Sequence, residues 1–332
     1  MSLDIIATKP HERLAGVLAS DMEAVNEMIR ERMASEHAPR IPEVTAHLIE
    51  AGGKRIRPML TLAAAKLCGY TGPFHIHLAA TVEFIHTATL LHDDVVDESD
   101  QRRGRPAANL LWDNQSSVLV GDYLFARSFQ LMVETKSLRV LDILANASAT
   151  ISEGEVLQLS AAQDLKTSEA TYLKIIRGKT AALFSAATQV GGVIAKVQDT
   201  YESALFNYGD ALGISFQMVD DYLDYEGTDA TGKNIGDDFR ERKMSLPLIK
   251  AVQKANEDEM AFWQRTITKG RQENGDLETA IQIMRKQGTL DAVRQEALGW
   301  SAKAKDQLTL LPENDIRDML ADLADYIVAR IN

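Results

Sequence analysis

The sequence has little of what marks secreted, metal-cluster or membrane proteins. Cys68 is the only cysteine, so the chain can form no internal disulfide and no thiolate metal cluster. No run of about 18 or more apolar residues occurs, so no membrane-spanning helix is predicted. The first residues, MSLDIIATKPHERL, are interrupted by charge too early for a secretory segment. These absences predict a soluble, cytoplasmic protein in a reducing setting.

Positively charged residues are outnumbered by negatively charged ones. The chain carries 36 lysines and arginines against 48 aspartates and glutamates, which gives a formal net charge of −12. This balance disfavours a general affinity for nucleic acid or for anionic lipid surfaces. Nucleic acid is therefore not a predicted partner, and any phosphate-binding function must rest on local basic clusters.

Only 8 prolines interrupt a chain that is rich in alanine, leucine, glutamate and other strong helix formers. Apolar residues recur at three- and four-residue spacing, as in Leu205, Tyr208, Leu212 and Phe216, which is typical of helices. Alternating strand-like runs are hard to find, and neither a repeat nor a linker divides the chain. The sequence predicts a single all-α domain over residues 1–332, with roughly ten or more helices.

Two acidic triplets with the spacing D-D-x-x-D carry the main functional signal. The triplets are Asp93, Asp94 and Asp97, and Asp220, Asp221 and Asp224. On a helix, the first and last aspartates of a triplet lie on one face, where their charges repel. Magnesium reverses that repulsion, because it binds carboxylate and phosphate oxygens. The alternative is a solvated acidic face, but apolar residues precede both triplets, as in TATLLHDDVV and FQMVDDYL.

Basic residues follow both triplets, and others cluster nearer the N-terminus. These residues are Lys54, Arg55, Arg57, Arg102, Arg103, Arg105, Lys179, Lys233 and Lys243. Carboxylates that hold magnesium, together with cations that meet phosphate directly, are what a diphosphate group needs. Within this set, Arg55 and Arg105 are interpreted as plain surface charge.

The stretch GTDATGKN at 227–234 matches a phosphate-binding P-loop in part, but Asn234 stands where that loop has serine or threonine. It also follows an acidic helical stretch, MVDDYLDYE, whereas a P-loop follows a buried strand. A P-loop is therefore not predicted. Lys233 is expected to meet phosphate as a single charge.

At these residues the sequence resembles the trans-isoprenyl diphosphate synthase (polyprenyl synthetase) family, and most of all its long-chain branch. The matching stretches are GGKRIRP, FIHTATLLHDDVVDESDQRRG, GKTAALF, FQMVDDYLD and GKNIGDD. The resemblance implies a helical bundle around a central cavity. It also implies magnesium-dependent elongation of an allylic diphosphate, such as farnesyl diphosphate, by isopentenyl diphosphate. The implied products are octaprenyl to decaprenyl diphosphates for quinone side chains such as that of ubiquinone.

The resemblance assigns roles to both triplets. It implies catalytic roles for all six aspartates and for Lys179 and Lys233, with magnesium held by Asp93, Asp97 and Asp220. It further implies a homodimer, and at most a transient membrane contact during product release. The C-terminal YIVARIN lacks the basic tail of short-chain members, so no phosphate contact is predicted there.

The resemblance also divides the basic and polar residues between two substrates. Those implied to contact the allylic diphosphate are Arg102, Lys179, Thr180, Gln217, Lys233 and Lys243. Those implied to bind isopentenyl diphosphate are Lys54, Arg57, His86 and Arg103.

Product length is implied by small residues upstream of the first triplet. In this family an aromatic residue four or five positions before the triplet is typical of short products. Ala88 and Thr89 occupy those positions here, which favours a long product, unless Ala88 is simply a small residue in a helix–helix contact. Phe129 and Met132 are the candidate floor of the cavity.

Two other functions remain as alternatives. A class I terpene cyclase also uses an aspartate-rich motif and magnesium, but it needs no pocket for isopentenyl diphosphate. A non-catalytic subunit of a heteromeric prenyl synthase would have lost one or both triplets, and both are complete here.

Overall fold

The computed structural model describes residues 10–50, 53–102, 104–227 and 235–331, and it is built almost entirely of helices. The helices are α1 (Pro10–Val17), α2 (Ala19–Met33), α3 (Arg40–Glu50), α4 (Ile56–Leu67), α5 (Phe74–Val96), α6 (Ala108–Leu111), α7 (Asn114–Glu134), α8 (Leu138–Ala161), α9 (Glu169–Ile176), α10 (Ala182–Ile194), α11 (Asp199–Glu226), α12 (Asp237–Arg240), α13 (Leu246–Gln253), α14 (Glu257–Trp263), α15 (Asp276–Gln287), α16 (Thr289–Leu308) and α17 (Asp315–Ala329). The predicted all-α class is confirmed.

Short strands and π-helical turns interrupt this pattern in the described residues. A minimal antiparallel pair, β1 (Gln101–Arg102) and β2 (Arg105–Pro106), follows α5. Two single π-helical turns, Arg177–Ala181 and Gln264–Thr268, follow α9 and α14. No helix within the described ranges is both long enough and apolar enough to cross a membrane.

The chain groups into two compact units. The first consists of Met1–Asn146, Leu183–Gly209 and Lys305–Tyr326, and the second of Ala147–Ala182, Asp210–Ala304 and Ile327–Asn332. The expectation of one domain over residues 1–332 stays a prediction.

The first unit is built around α5, whose side chains are buried on most sides, including Leu78, Val82, Phe84 and Leu91. A helix that is apolar all round is one that packs against other helices on all sides, and α5 lies against α2, α4 and α7. The charged end of α5, at the first acidic triplet, is therefore carried by a helix that is firmly held.

Close helix contacts in the first unit depend on glycine. A Cβ atom added to Gly209 would lie 2.5 Å from the Phe184 carbonyl oxygen and 2.5 Å from the Ser185 Cα atom. At the same crossing, the Thr188 hydroxyl donates to the Leu205 carbonyl oxygen at 2.6 Å. The absent side chain thus sets how closely α11 approaches α10.

The second unit has its own core, with Trp263, Tyr225 and Phe239 almost fully buried. Arg265 forms two hydrogen bonds to Asp276, of 2.8 and 2.7 Å, and so joins the second π-helical turn to α15. The Ser215 hydroxyl donates to the Ala297 carbonyl oxygen at 2.9 Å and so joins α11 to α16. The Ser215 hydrogen bond therefore attaches α11, which carries the second acidic triplet, to α16.

We expect Gly209→Ala to lower the stability of the protein by about 1–3 kcal/mol, because the new methyl group meets backbone atoms that cannot rotate away. The matched control is Gly299→Ala on α16, where nothing lies within 4 Å of the added atom. That change should raise stability by up to about 1 kcal/mol, because alanine is the better helix former. Thermal unfolding of both variants measures the difference. Equal effects would show that the α10–α11 crossing is not tightly packed.

Candidate active site

The first acidic triplet lies at the C-terminal end of α5. Asp93 and Asp94 are in its last turn, and the backbone N–H of Asp97 donates to the Asp93 carbonyl oxygen at 2.7 Å. Asp93 and Asp97 are therefore one helical turn apart, as their spacing predicts. Both side chains are partly accessible to solvent.

Asp94 has a different environment, because its side chain is fully buried. Arg102 on β1 donates to Asp94 Oδ1 through Nε at 2.9 Å and also through a second nitrogen. Burial raises the pKa of the Asp94 carboxyl, and Arg102 opposes that shift. Asp94 Oδ2 is buried and has no hydrogen-bond partner within the described residues. In this structure Arg102, which is predicted to meet a diphosphate, holds Asp94. The predicted partner Arg103 lies outside the described residues.

The basic cluster before and within α4 is partly assembled in the first unit. Arg57 lies 3.2 Å from the His86 ring nitrogen and stacks over the Phe184 ring at 4.7 Å. Lys54 is exposed and donates to the Tyr326 hydroxyl at 3.3 Å. The structure thus brings Arg57 and His86 into contact, and Lys54 contacts α17.

The interpretation of Arg55 as plain surface charge is wrong. Its side chain is only 18% exposed and forms an ion pair with the buried Glu83 of α5. Arg105 is exposed, as expected of a surface residue. Local sequence did not separate the two arginines, because burial of Arg55 depends on how α4 packs against α5.

The second acidic triplet lies on α11, and Asp221 is its most buried member. Asp221 Oδ1 accepts from Gln217 Nε2 at 2.9 Å. Asp221 Oδ2 accepts from the Tyr172 hydroxyl at 2.7 Å and from the Leu246 backbone N–H at 3.4 Å. Burial raises the pKa of the Asp221 carboxyl, and these hydrogen bonds oppose the shift.

Asp224 binds backbone. Its two carboxylate oxygens accept the N–H groups of Asp237 and Asp238 at 3.2 and 3.1 Å, and its carbonyl oxygen accepts the Gly236 N–H at 2.7 Å. Burial raises the pKa of the Asp224 carboxyl to about 7. Asp224 therefore fastens the chain where it returns to α11 after residues 228–234. The predicted phosphate ligand Lys233 lies in that stretch, outside the described residues.

Asp220 forms an ion pair with a cation from the C-terminal part of the chain. Arg330 donates to Asp220 Oδ1 at 3.1 Å, and its guanidinium lies 5.9 Å from the centre of the Phe216 ring. Arg330 belongs to the YIVARIN segment, for which the sequence predicted no contact with phosphate. The structure adds a contact with a predicted metal ligand that no sequence pattern had indicated.

The π-helical turn Arg177–Ala181 carries the predicted phosphate ligands Lys179 and Thr180. Such turns widen a helix locally and often occur at functional sites. A Cβ atom added to Gly154 on α8 would lie 2.6 Å from the Lys179 backbone nitrogen. Lys179 forms an ion pair of 2.8 Å with Glu155, next to that glycine. Close packing on α8 therefore fixes the position of the turn.

A pocket in the second unit brings most of the predicted allylic-diphosphate ligands together. It has about 620 Å³ of empty space, including space open to solvent. Its lining residues are Gln158, Ala161, Ala162, Tyr172, Ile175, Ile176, Lys179, Thr180, Gln217, Asp221, Asp238, Lys243, Met244 and Ser245. Lys243 forms an ion pair of 2.5 Å with Glu241. The pocket combines lysines and hydrogen-bonding groups with apolar side chains, a combination that suits an anion attached to an apolar group.

The predicted chain-length residues have different environments. Ala88 on α5 and Met132 on α7 are fully buried. Thr89 is partly buried, and its hydroxyl donates to the His86 carbonyl oxygen at 2.8 Å. Phe129 is 43% exposed. Their roles in limiting product length stay predictions.

The donor chemistry of the triplets fits magnesium. In the described part of the chain, no group of three or more His, Cys, Asp or Glu side chains is arranged to hold a metal ion. Magnesium is usually bound by one or two carboxylates together with phosphate oxygens. Asp93 and Asp97 on one turn of α5, and Asp220 on α11, offer oxygen ligands of that kind. These residues therefore fit ions that are shared with a bound phosphate group.

Tyr172, Glu155 and Arg330 are contacts of the site that the sequence did not single out. Each meets its partner across a large sequence separation, of 49 residues for Tyr172 and Asp221 and 110 for Arg330 and Asp220. A weak signal for Tyr172 was available. It is a tyrosine on a short apolar helix directly before GKTAALF.

Comparison with known proteins identifies the family. The Polyprenyl synthetase family model matches residues 38–284. The octaprenyl diphosphate synthase of Escherichia coli (strain K12) is 42% identical over 322 residues, which cover 96% of this chain and 98% of that protein.

Two solved structures are also similar. A decaprenyl diphosphate synthase from Rhodobacter capsulatus is 70% identical with a TM-score of 0.95, over 97% of this chain and 99% of that one. A polyprenyl synthase from Caulobacter crescentus CB15, complexed with calcium and isoprenyl diphosphate, is 50% identical with a TM-score of 0.93, over 96% and 97%. On its matched sequence and its helical fold, this chain belongs to the polyprenyl synthetase family.

Proposed function

We propose that this protein is a prenyltransferase that elongates an allylic diphosphate, such as farnesyl diphosphate, with successive isopentenyl diphosphate units. The observation that carries the proposal is the pocket of the second unit. There Lys179, Lys243 and Gln217 lie beside apolar side chains and beside Asp221 of the second triplet. This pocket is complementary to a diphosphate with an apolar tail, because its lysines suit the charge and its apolar side chains suit the tail.

The proposed product is a long all-trans chain of eight to ten isoprene units, for a quinone such as ubiquinone. This range is supported by the names of the relatives, which are octaprenyl and decaprenyl diphosphate synthases. A small, fully buried Ala88 at the position of the short-chain aromatic residue also supports it.

Residues of the first unit have two proposed roles. In the first unit, Asp93 and Asp97 would hold magnesium, and Lys54, Arg57 and His86 would bind isopentenyl diphosphate. Arg103 is proposed for the same substrate, and Arg102 for the allylic diphosphate.

In the second unit, Asp220 would hold magnesium. Lys179, Thr180, Gln217 and Lys243 would bind the allylic diphosphate, and Lys233 is proposed for the same role. Bound magnesium would supply positive charge that offsets the charge of the diphosphate.

The chemistry follows from where charge develops. As the allylic carbon–oxygen bond breaks, negative charge builds on the departing pyrophosphate, and fixed cations such as Lys179 stabilise it. The double bond of isopentenyl diphosphate then attacks the allylic carbon, because its own phosphate site holds it in line. A proton leaves the new chain, and the released pyrophosphate is the base that accepts it.

A homodimer in the cytoplasm is part of the proposal. Support comes from α7, where exposed apolar side chains recur at helical spacing, with Leu119 66%, Phe129 43% and Val133 62% exposed. Apolar surface of this kind usually marks a site of protein or membrane contact. A second copy of the chain is the proposed partner, and membrane contact is limited to transient product release.

The direct test is activity of the purified chain with magnesium, farnesyl diphosphate and labelled isopentenyl diphosphate. We expect incorporation of label into polyprenyl products of eight to ten units, measured by chromatography after dephosphorylation. Label-free cyclic hydrocarbon made from the allylic substrate alone would instead indicate a terpene cyclase. No turnover without a second protein would indicate a non-catalytic subunit.

Asp93→Asn should remove activity, whereas the exposed surface variant Asp318→Asn should leave it unchanged.

A pH dependence follows from the raised pKa of about 7 for Asp224. In unfolded chains aspartate titrates near about 3.9, so between these values the folded state binds more protons than the unfolded state. The stability of metal-free protein should therefore fall as the pH rises from about 4 to about 7. The raised pKa values of Asp221 and Asp238 act in the same direction.

The measurement is the unfolding temperature in the presence of a chelator at several pH values. Asp224→Asn should flatten the dependence, and the exposed control Asp318→Asn should retain it. If wild type and Asp224→Asn share one slope, the burial of Asp224 does not govern stability. Added magnesium should stabilise the wild type more at pH 8 than at pH 6, because the aspartates with raised pKa values are ionised at pH 8.

We expect Ala88→Phe to shorten the product. Ala88 lies five residues before Asp93, about 7.5 Å along the helix. We expect a ring there to stop the tail after about three or four isoprene units. The control is Ala79→Phe, which also adds a ring at a fully buried alanine of α5 but more than two turns further from the triplet. Chromatography of the dephosphorylated products decides between them. Unchanged chain length in Ala88→Phe would show that the tail does not pass this residue.

A further inference from the structure

Four buried or half-buried polar side chains of the second unit form one continuous chain of hydrogen bonds. The Thr180 hydroxyl donates to Gln217 Oε1 at 2.8 Å, and Gln217 Nε2 donates to Asp221 Oδ1 at 2.9 Å. The Tyr172 hydroxyl then donates to Asp221 Oδ2 at 2.7 Å. All four side chains line the pocket proposed for the allylic diphosphate.

Asp221 lies in the middle of this series of hydrogen bonds, and both of its carboxylate oxygens accept hydrogen bonds from protein donors. Oδ1 accepts from Gln217, while Oδ2 accepts from Tyr172 and from the Leu246 backbone. A buried carboxylate is stable only when donors replace the water that it has lost. Tyr172 supplies the shortest of these hydrogen bonds.

The orientation of Gln217 follows from Asp221. An amide group has donors on one side and an acceptor on the other. In the structure the Gln217 NH₂ group faces Asp221 Oδ1, and the Gln217 oxygen faces the Thr180 hydroxyl. That oxygen accepts the Thr180 hydroxyl proton and so sets the direction in which the remaining lone pairs of the hydroxyl point.

We propose that Tyr172 is a positioning residue of the allylic-diphosphate site, acting through Asp221 and Gln217 on Thr180. This inference rests on the proposed function, because it assigns a task within that site. Tyr172 itself is not required to touch the substrate. Its hydroxyl keeps Asp221 in place, and Asp221 keeps two substrate-binding side chains in one orientation.

The hydroxyl of Tyr172 is the informative atom, since the ring alone would fill the same space. The side chain is buried, and burial together with the neighbouring Asp221 charge keeps the pKa of the phenol well above its usual value. It therefore remains a hydrogen-bond donor at physiological pH. A phenylalanine would pack equally well but would remove one donor from a buried carboxylate.

Helix α9 has anchors that do not involve this hydroxyl. The Ser168 side chain accepts the Thr171 N–H at 3.1 Å and so caps the helix. Lys250 on α13 donates to Glu169 at 2.8 Å. The variant Tyr172→Phe is therefore expected to fold, and its effects can be read at the site.

The experiment compares Tyr172→Phe with Tyr208→Phe. Tyr208 is also fully buried and also donates one hydrogen bond, to the Leu320 carbonyl oxygen at 2.8 Å, but it lies in the first unit. Both variants lose one buried hydrogen bond, so both should lose stability. Only Tyr172→Phe should raise the KM for the allylic diphosphate, by about tenfold at most, since the lost hydrogen bond to a charged group then no longer holds Asp221 and Gln217 in place. The KM for isopentenyl diphosphate should stay unchanged.

A binding measurement gives a second readout that does not depend on turnover. In calorimetry with inorganic pyrophosphate and magnesium, Tyr172→Phe should bind about tenfold more weakly than wild type. Tyr208→Phe should bind as wild type does. Since Tyr172 is proposed to act through Thr180, the double variant Tyr172→Phe/Thr180→Val should be no weaker than Thr180→Val alone.

The outcomes separate this inference from the proposed function. If wild type elongates the substrate and Tyr172→Phe matches Tyr208→Phe in both KM and pyrophosphate binding, Tyr172 is only a core residue and the inference is wrong. Additive effects of Tyr172→Phe and Thr180→Val would also overturn it. If wild type neither elongates nor binds pyrophosphate, the proposed function fails and the inference fails with it.

Discussion

Burial of carboxylates along α11 is the constraint on which the second unit depends. Asp221 is buried and Asp224 is partly buried, and burial raises the pKa of both carboxyl groups. A carboxylate that has lost its water needs hydrogen-bond donors in return. Helix α9, the first residue of α12 and the first residue of α13 each bring such a donor. The path of the chain around α11 is therefore arranged around these oxygens.

The three aspartates of the second triplet have different partners although their spacing repeats that of the first. Asp220 meets a guanidinium group, Asp221 meets side-chain donors, and Asp224 meets backbone N–H groups. The same sequence pattern thus provides an ion pair with an arginine, a hydrogen-bond acceptor for side chains and an attachment point for the backbone. Asp94 in the first triplet resembles Asp221 in this respect, because it is buried and held by Arg102.

Much of the fold was predictable because a helix produces a recognisable pattern in its own stretch of sequence. The three- and four-residue spacing of apolar side chains and the scarcity of proline were enough to predict the all-α class, and the triplet spacing placed Asp93 and Asp97 one turn apart. Contacts between distant segments produce no such pattern. The burial of Arg55 against Glu83, the hydrogen bond from Tyr172 to Asp221 and the approach of Arg330 to Asp220 all depend on how helices pack.

The π-helical turn at Lys179 has a similar explanation. Nothing in the letters RGKTA requires a widened helix, since the same residues are compatible with an ordinary α-helix. The turn is held where Gly154 and Gly178 allow two backbones to come close, and the Cβ atoms of other residues would not fit there. A pair of glycines 24 positions apart, like the pairing of Lys179 with Glu155, is recognisable only in three dimensions.

The pairing of pocket lysines with resident glutamates has a consequence for selectivity. Lys179 already neutralises Glu155, and Lys243 already neutralises Glu241. An incoming anion must exchange with a carboxylate that is tethered next to its lysine, so chloride or a monocarboxylate gains little by entering. An anion that offers several charged oxygens at once can outcompete both glutamates together. An anion that binds these lysines must therefore displace a neighbouring carboxylate, which favours anions of high charge density.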